Sequence, residues 1–251
     1  MNALLPFALP QFDTLMVVLF RLTGILAVWP VIGSRTIPAQ VKVVLVVMLA
    51  LVLMPLVHLG GMPQDPLLLT MGMFSESLVG LVIGLCVRFL FAGFELAGEL
   101  MGTQMGLGVV QLLDPTSSRQ IPLIGNFNVI VSSLIFLGMN AHLWVIRAVA
   151  NSFDMIPPFG AGLSPALMDD VLHLSQGMFV VALKLSAPVM ATILLINLLL
   201  AILGRTVPQL NVFAMSFVVT ILGGLVALGT SLPWSVTLYQ DEFVRLQDTI
   251  D

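Results

Sequence analysis

Charge is what this sequence has least of. Only 9% of its 251 residues are Asp, Glu, Lys or Arg, and 59% are hydrophobic; a soluble domain carries about 25% charged residues. Mean hydropathy is +1.10. So few polar groups cannot cover a water-facing surface, which places the chain in lipid or in a very apolar assembly. Cysteine is nearly missing as well. Cys86 stands alone, which excludes a disulfide framework and cysteine-based metal sites. The three histidines, His58, His142 and His173, lie far apart with no HExxH spacing, so no metal is expected. Basic runs are absent and the net charge is −4, so nucleic acid is not an expected partner. There is no GxxxxGK[ST] phosphate loop and no GxSxG elbow, and Ser75-Glu76-Ser77 has no nearby histidine. An enzyme is therefore not expected, nor a cofactor. No positive n-region precedes the first apolar run, whose first basic residue is Arg21; that run is expected to stay in the mature chain.

What is present is a series of apolar runs, each near the ~20 residues needed to cross a bilayer. They lie at about 14–33, 41–59, 67–110, 123–149, 174–203 and 210–232, with a polar tail at 239–251. The third consists of 67–92 and a glycine-rich continuation, 93–110. The expected fold class is an all-α membrane-associated protein with about six to seven long apolar helices, forming one domain over 1–251. HLGGMPQDP (58–66) and FDMIPPFGAGLSP (153–165) carry turn chemistry, Gly for positive φ and Pro for fixed φ. Trp29, Trp144 and Trp234 fall near segment ends, as interfacial tryptophans do. Arg35, Lys42 and Arg205 place 34–42 and 204–209 on the cytoplasmic side, with the Asp-bearing connections outside.

One stretch, LAGELMGTQMGLG (96–108), with Glu95 just before it, combines acids and glycines at helical spacing. From Glu95, the residues Gly98, Glu99, Gly102 and Gly106 follow at i+3, i+4, i+7 and i+11, and Arg88 precedes at i−7. At 3.6 residues per turn these share one stripe. Gly80 and Gly84 form a second small-xxx-small pair. Small residues let helix backbones approach, so the stripe faces protein. Its acids face a partner charge, a cavity or a pathway, because ionisable groups at membrane depth are costly. After the stripe, Gly106 and Gly108 loosen the helix and Asp114-Pro115 signals a turn. This segment is either an exposed loop or one that lines or closes a conduit, since irregular backbone at membrane depth survives only inside protein or beside water.

Other polar residues pose a common choice. Lys184, one turn before the kinking Pro188, either snorkels or pairs with an acid of another helix; so do Arg21, Glu76 and Arg147. Asn197 is expected to bond across helices. SRTIPAQVKVV (34–44) and GRTVPQLNVFA (204–214) echo each other, either as two separate helix starts or as a duplicated unit.

The motifs FRLTGILAVWPVIGSRTIPAQVKV (20–43), GFELAGELMGTQMGLG (93–108), the Asp114-Pro115 turn, PLIGNF (122–127), FLGMNAHLWVIRAVANSFDMIPPFG (136–160) and GRTVPQLNVF (204–213) occur in this order. Together they resemble the FliR/SctT family of type III export-gate proteins, over almost the whole chain. The resemblance implies a FliP-like part followed by a FliQ-like part, built of helical hairpins. It implies a channel-forming, non-enzymatic subunit that assembles with FliP- and FliQ-type chains beside FlhB- and FlhA-type neighbours. Unfolded flagellar proteins would pass through this gate in the flagellar basal body at the bacterial inner membrane, surrounded by lipid. By likeness, Gly106, Leu107, Gly108, Val109, Val110, Gln111, Leu112, Leu113, Asp114 and Pro115 belong to a plug that closes the pore. Glu95 and Glu99 would meet neighbouring subunits, and Arg205, Pro208, Gln209 and Asn211 would form a hairpin tip toward the cytoplasmic entrance. The alternative is a stand-alone ion-coupled carrier with Arg88, Glu95 and Glu99 as its coupling site.

Overall fold

Apolar side chains without strand alternation, long runs and prolines at run boundaries dictate helices, and helices are what the chain forms. The computed structural model describes residues 5–30, 33, 37–108, 122–160, 165–206 and 211–250. Seven α-helices occur among them: α1 Leu5–Val28, α2 Ala39–Leu53, α3 Pro66–Gln104, α4 Leu123–Gly138, α5 Ala141–Met155, α6 Pro165–Thr206 and α7 Val212–Ile250. A short 3-10 turn, Met54–Leu56, follows α2. Among the described residues there is no strand. Five helices are long and apolar enough to cross a membrane, and α4 with α5 would supply a sixth.

Proline marks the starts. Pro38 precedes α2, Pro122 precedes α4, and α3 and α6 begin at Pro66 and Pro165; a proline has no N–H to leave unpaired in a first turn. Several boundaries differ from those the apolar runs suggest. The run at 123–149 is two helices, because Met139 and Asn140 interrupt it and Asn140 takes a left-handed φ of 57°, a conformation asparagine tolerates. The stretch expected to be a polar tail, 239–251, is instead the continuation of α7 through Ile250, with Tyr239 and Phe243 fully buried and Glu242 nearly so. The helix expected to reach residue 110 ends at Gln104. α6 runs unbroken through Pro188.

α3, α6 and α7 have 39, 42 and 39 residues, or roughly 58–63 Å at 1.5 Å per residue. That is about twice the ~30 Å hydrocarbon core of a bilayer. The described residues group into two units. The first draws on 1–89, 140–174 and 244–251, the second on 90–139 and 175–243. In the first, Val17, Val18, Leu22, Ile25, Val79 and Val87 are buried; in the second, Phe91, Phe94, Phe136, Tyr239 and Phe243 are.

Candidate functional site

The first unit is organised by a helix crossing with almost no side chain in it. A Cβ on Gly80 of α3 would strike the carbonyl oxygen of Arg21 in α1, and one on Gly24 of α1 would strike that of Ser77. Gly84 meets Ile25 and Val28 in the same way. Backbones touch here because the residues are small.

That closeness brings two charges together. Arg21 and Glu76 are both fully buried, and Arg21 Nη2 lies 2.6 Å from Glu76 Oε2. Arg21 Nε donates to the same oxygen at 2.8 Å, Nη1 to Ser152 Oγ at 2.9 Å, and Nη2 to the Ile156 carbonyl at 3.1 Å. The Phe153 ring lies 3.8 Å from the guanidinium carbon. Glu76 Oε1 accepts the backbone N–H of Phe159 at 2.9 Å. Phe159 has φ 65°, and its ring covers Gly72. A buried ion pair needs such extra hydrogen bonds to offset its desolvation. One arginine thus ties α1, α3, α5 and the turn after α5 together. Its described partners are protein groups, so the arrangement acts as a staple between these elements.

The second unit contains the acid-and-glycine stretch. A Cβ on Gly98 of α3 would strike the Gly125 Cα of α4 and come 2.5 Å from its nitrogen. Conversely, one on Gly125 would sit 3.2 Å from the Glu95 carbonyl oxygen and 3.5 Å from Glu99 Cγ. Gly102 faces Ile124 at ordinary contact distance. Asn128 of α4 donates from Nδ2 to the Phe94 carbonyl at 3.2 Å. Gly98, Gly102 and the Glu99 stem therefore lie along α4. Glu95 is half-buried and Glu99 is exposed. Arg88 is exposed and belongs to the first unit.

Gly106 does not loosen α3; it ends it. Its φ is +81°, the Gly106 N–H donates to Thr103 O at 3.1 Å, and the Leu107 N–H donates to Gly102 O at 3.1 Å. This is the Schellman pattern, in which a left-handed glycine satisfies the last carbonyls of a helix. The turn is docked on α7: Phe217 lies against Gly106, Thr220 Oγ1 donates to the Met105 carbonyl at 3.4 Å, and Met105 packs on Gly224. Leu107 and Gly108 complete the turn. Val109, Val110, Gln111, Leu112, Leu113, Asp114 and Pro115 lie outside the described residues.

At the other motif, Arg205 is exposed in the last turn of α6, where a cation suits the helix dipole. Asn211 is exposed and its carbonyl accepts the Met215 N–H at 3.1 Å. Pro208 and Gln209 lie outside the described residues. Lys184 pairs with Glu242 of α7 at 3.4 Å.

The staple is the group that sequence reasoning left unresolved. The hydrogen-bond partners of Arg21 lie 55 to 135 residues from it, and no spacing rule reaches that far. A signal did exist. Arg21 is followed by Gly24 at i+3 and Glu76 by Gly80 at i+4, so each buried charge has a glycine on its own helix face.

With this geometry in place, the likeness to known proteins is informative. The family of bacterial export proteins, family 1, matches residues 12–246. The chain is 31% identical over 237 residues to the flagellar biosynthetic protein FliR of Pectobacterium carotovorum subsp. carotovorum, covering 92% of this chain and 90% of that protein. It is 27% identical over 236 residues to FliR of Escherichia coli K12, covering 92% and 90%. It is 31% identical over 208 residues to FliR of Bacillus subtilis 168, covering 80% and 79%.

Proposed function

The chain belongs to the bacterial export proteins of family 1 and to the FliR group of flagellar biosynthetic proteins, and from that premise we propose that it is a channel-forming subunit of the flagellar protein export gate. The match over residues 12–246 carries this reading. In it, the chain is non-enzymatic. It assembles with FliP- and FliQ-type subunits beside FlhB- and FlhA-type proteins, in the flagellar basal body at the bacterial inner membrane. Unfolded flagellar proteins pass through the assembly. A FliP-like part is followed by a FliQ-like part, the latter formed by the α6–α7 hairpin.

Three features support the finer points. The segment beginning at Gly106, through Pro115, acts as the plug, and its root is anchored: Met105 and Gly106 are held by Thr220, Gly224 and Phe217 of α7. A closing segment needs such a fixed end. The exposed carboxylate of Glu99 lies on a helix of high mean hydropathy, where an ionisable group needs a partner; a neighbouring subunit supplies it. Leu194, Leu195, Leu198 and Leu199 of α6 are all more than half exposed, an apolar surface that subunits and lipid cover.

Co-expression with its chromosomal neighbours, mild detergent extraction and native mass spectrometry test the assembly. One copy within a hetero-oligomer is expected; a stable monomer beside FliP- and FliQ-type chains overturns the gate reading. Deleting Val109–Leu113 tests the plug separately. Ion or small-solute leak through the membrane should rise, and an unchanged leak removes the plug assignment.

A further inference from the structure

We propose that the α6–α7 hairpin carries one shared hinge at Pro188 and Pro233, about which its outer part, residues 189–206 and 212–232, swings as a body. Two contacts fix the register of this antiparallel pair. Lys184 of α6 pairs with Glu242 of α7, and the Ile196 side chain lies against Gly223. Moving along α6 from 184 to 196 therefore means moving back along α7 from 242 to 223. Pro188 and Pro233 are interior residues of their helices, and in this register they fall at nearly one level. A proline offers no N–H to the carbonyl four residues before it, and its ring crowds that carbonyl. The carbonyls concerned belong to Lys184 and Gly229. Two helices lying side by side thus each lose a backbone bond at the same height.

The side chains around the prolines add to this. On α6, Ser186 Oγ donates to the Leu183 carbonyl at 3.3 Å and Thr192 Oγ1 to the Pro188 carbonyl at 2.8 Å. On α7, Thr230 donates to the Val226 carbonyl at 3.0 Å, Ser231 to that of Leu228 at 3.1 Å, and Ser235 to that of Ser231 at 3.1 Å. Hydroxyls bonded back onto their own helix weaken it slightly and bend it. In lipid they also serve the carbonyls that a bend exposes. Gly229 adds backbone freedom four residues before Pro233. By contrast, residues 193–203 of α6 contain no Ser, Thr, Gly or Pro. The two sides of the hinge are held differently. On one side, Tyr239 and Phe243 are locked among Phe91, Phe94 and Phe136. On the other, Leu194, Leu198, Leu222 and Val226 are more than half exposed, and Thr220, Gly224 and Phe217 rest on Met105 and Gly106. Both helices run unbroken here with the outer part seated on the Gly106 turn, and bending lifts it away. The hinge follows from helix chemistry and does not depend on the export reading.

The test uses the full chain in mild detergent, with Cys86→Ala so that introduced cysteines alone carry spin labels. Phe179→Cys with Leu199→Cys spans Pro188, and Leu222→Cys with Gln240→Cys spans Pro233. All four positions are exposed, and each pair is about 27–30 Å apart along its helix. Double electron–electron resonance reads the spread of each distance. Both spreads should be at least twice as wide as in Pro188→Ala/Pro233→Ala. Pro188→Ala alone should narrow the α7 pair as well as the α6 pair, and Pro233→Ala should do the converse, because one hinge serves both helices. Gly229→Ala is the milder variant. Its methyl would meet nothing within 4 Å, and alanine favours the helix over glycine, so it should fold and narrow both spreads by a smaller amount. Distances as narrow in the native sequence as in the double variant overturn the hinge. Narrowing confined to the helix that carries the substitution also overturns it, since the prolines would then be two separate kinks.

Discussion

The two units hold their helices by different means. In the first, α1, α3 and α5 are tied by one buried arginine and the five groups it and Glu76 engage. In the second, α3, α4 and α7 meet through a cluster of rings. Phe94 and Tyr239 stack edge-on at 4.5 Å, and Phe243 lies 5.3 to 5.7 Å from Phe136, Phe94 and Phe91. Lipid gives apolar side chains no reason to leave it for one another, so helices in such a chain must associate through shape or through polar bonds. The contrast follows the backbone. Where the first unit carries an irregular turn, the Ile156 carbonyl and Phe159 N–H have no helical partner and would be costly to bury unpaired; Arg21 and Glu76 satisfy them. Where the second unit ends α3, the Schellman turn satisfies the last helical carbonyls and Thr220 Oγ1 bonds the Met105 carbonyl, so no buried ion pair is needed there.

Glu76→Ala is the largest predicted effect. It leaves Arg21 charged, buried and short of its main acceptor, and removing one partner of a buried pair costs about 3–5 kcal/mol. Unfolding midpoints in mild detergent measure the loss, and hydrogen exchange should rise at residues 156–160 before anywhere else. A cost under about 1 kcal/mol would break the comparison, since the turn would then be held without its staple. Phe243→Ala comes next, at about 3 kcal/mol for a fully buried ring. Because only shape is involved, Phe243→Leu should recover more than half. Glu76→Gln keeps the shape of its side chain but not the charge, so it should recover less. Equal rescue at both positions would erase the distinction between the units.

Gly98→Ala follows, at about 1–3 kcal/mol for overpacking, because its methyl would meet the Gly125 backbone, which cannot rotate away. Gly102→Ala is the control. Its methyl would sit 3.8 Å from Ile124, so it should be close to neutral. Two equally harmful substitutions would mean that the whole stripe is closely packed, and not one crossing point.

Much of this was legible in the sequence, for physical reasons. Apolar runs locate helices because lipid leaves the backbone no other way to pair its groups; α2 and α3 follow the expected runs to within about six residues, while α1 and α6 each begin nine residues before theirs. Hydropathy failed where polarity and burial separate. Residues 239–251 look polar, yet Tyr239, Phe243 and Leu246 recur at helical spacing and are buried; periodicity carried a signal that the average concealed. Asn140, two residues after Gly138, hinted at the break between α4 and α5, but an asparagine shows its left-handed φ only in the fold. The Gly98 face could be read as a helix contact from spacing alone, though not that its partner is another glycine. Arg21 and Glu76 could be recognised as charges needing partners. Their partners, a serine at 152, the carbonyl of 156 and the N–H of 159, carry no sequence signature.

The smallest effects give the sharpest comparison, because each unit has a neutral side chain bonded across helices. Ser152→Ala removes the acceptor of Arg21 Nη1 and leaves a charged donor buried and unpaired, a cost of about 1–3 kcal/mol. Asn128→Ala removes a bond to the Phe94 carbonyl. That carbonyl keeps its own helical donor four residues on, so nothing charged is orphaned. Cross-helix bonds of this kind average about 0.6 kcal/mol in membranes, and Asn128→Ala should fall near that value. The two alanines remove hydrogen bonds of similar length, 2.9 and 3.2 Å, so bond geometry cannot separate them. If Ser152→Ala exceeds Asn128→Ala in the same detergent, the first unit depends on satisfying its buried charge. If the order reverses, the polar bond in the second unit does more than packing alone would require, and the contrast between staple and ring cluster fails.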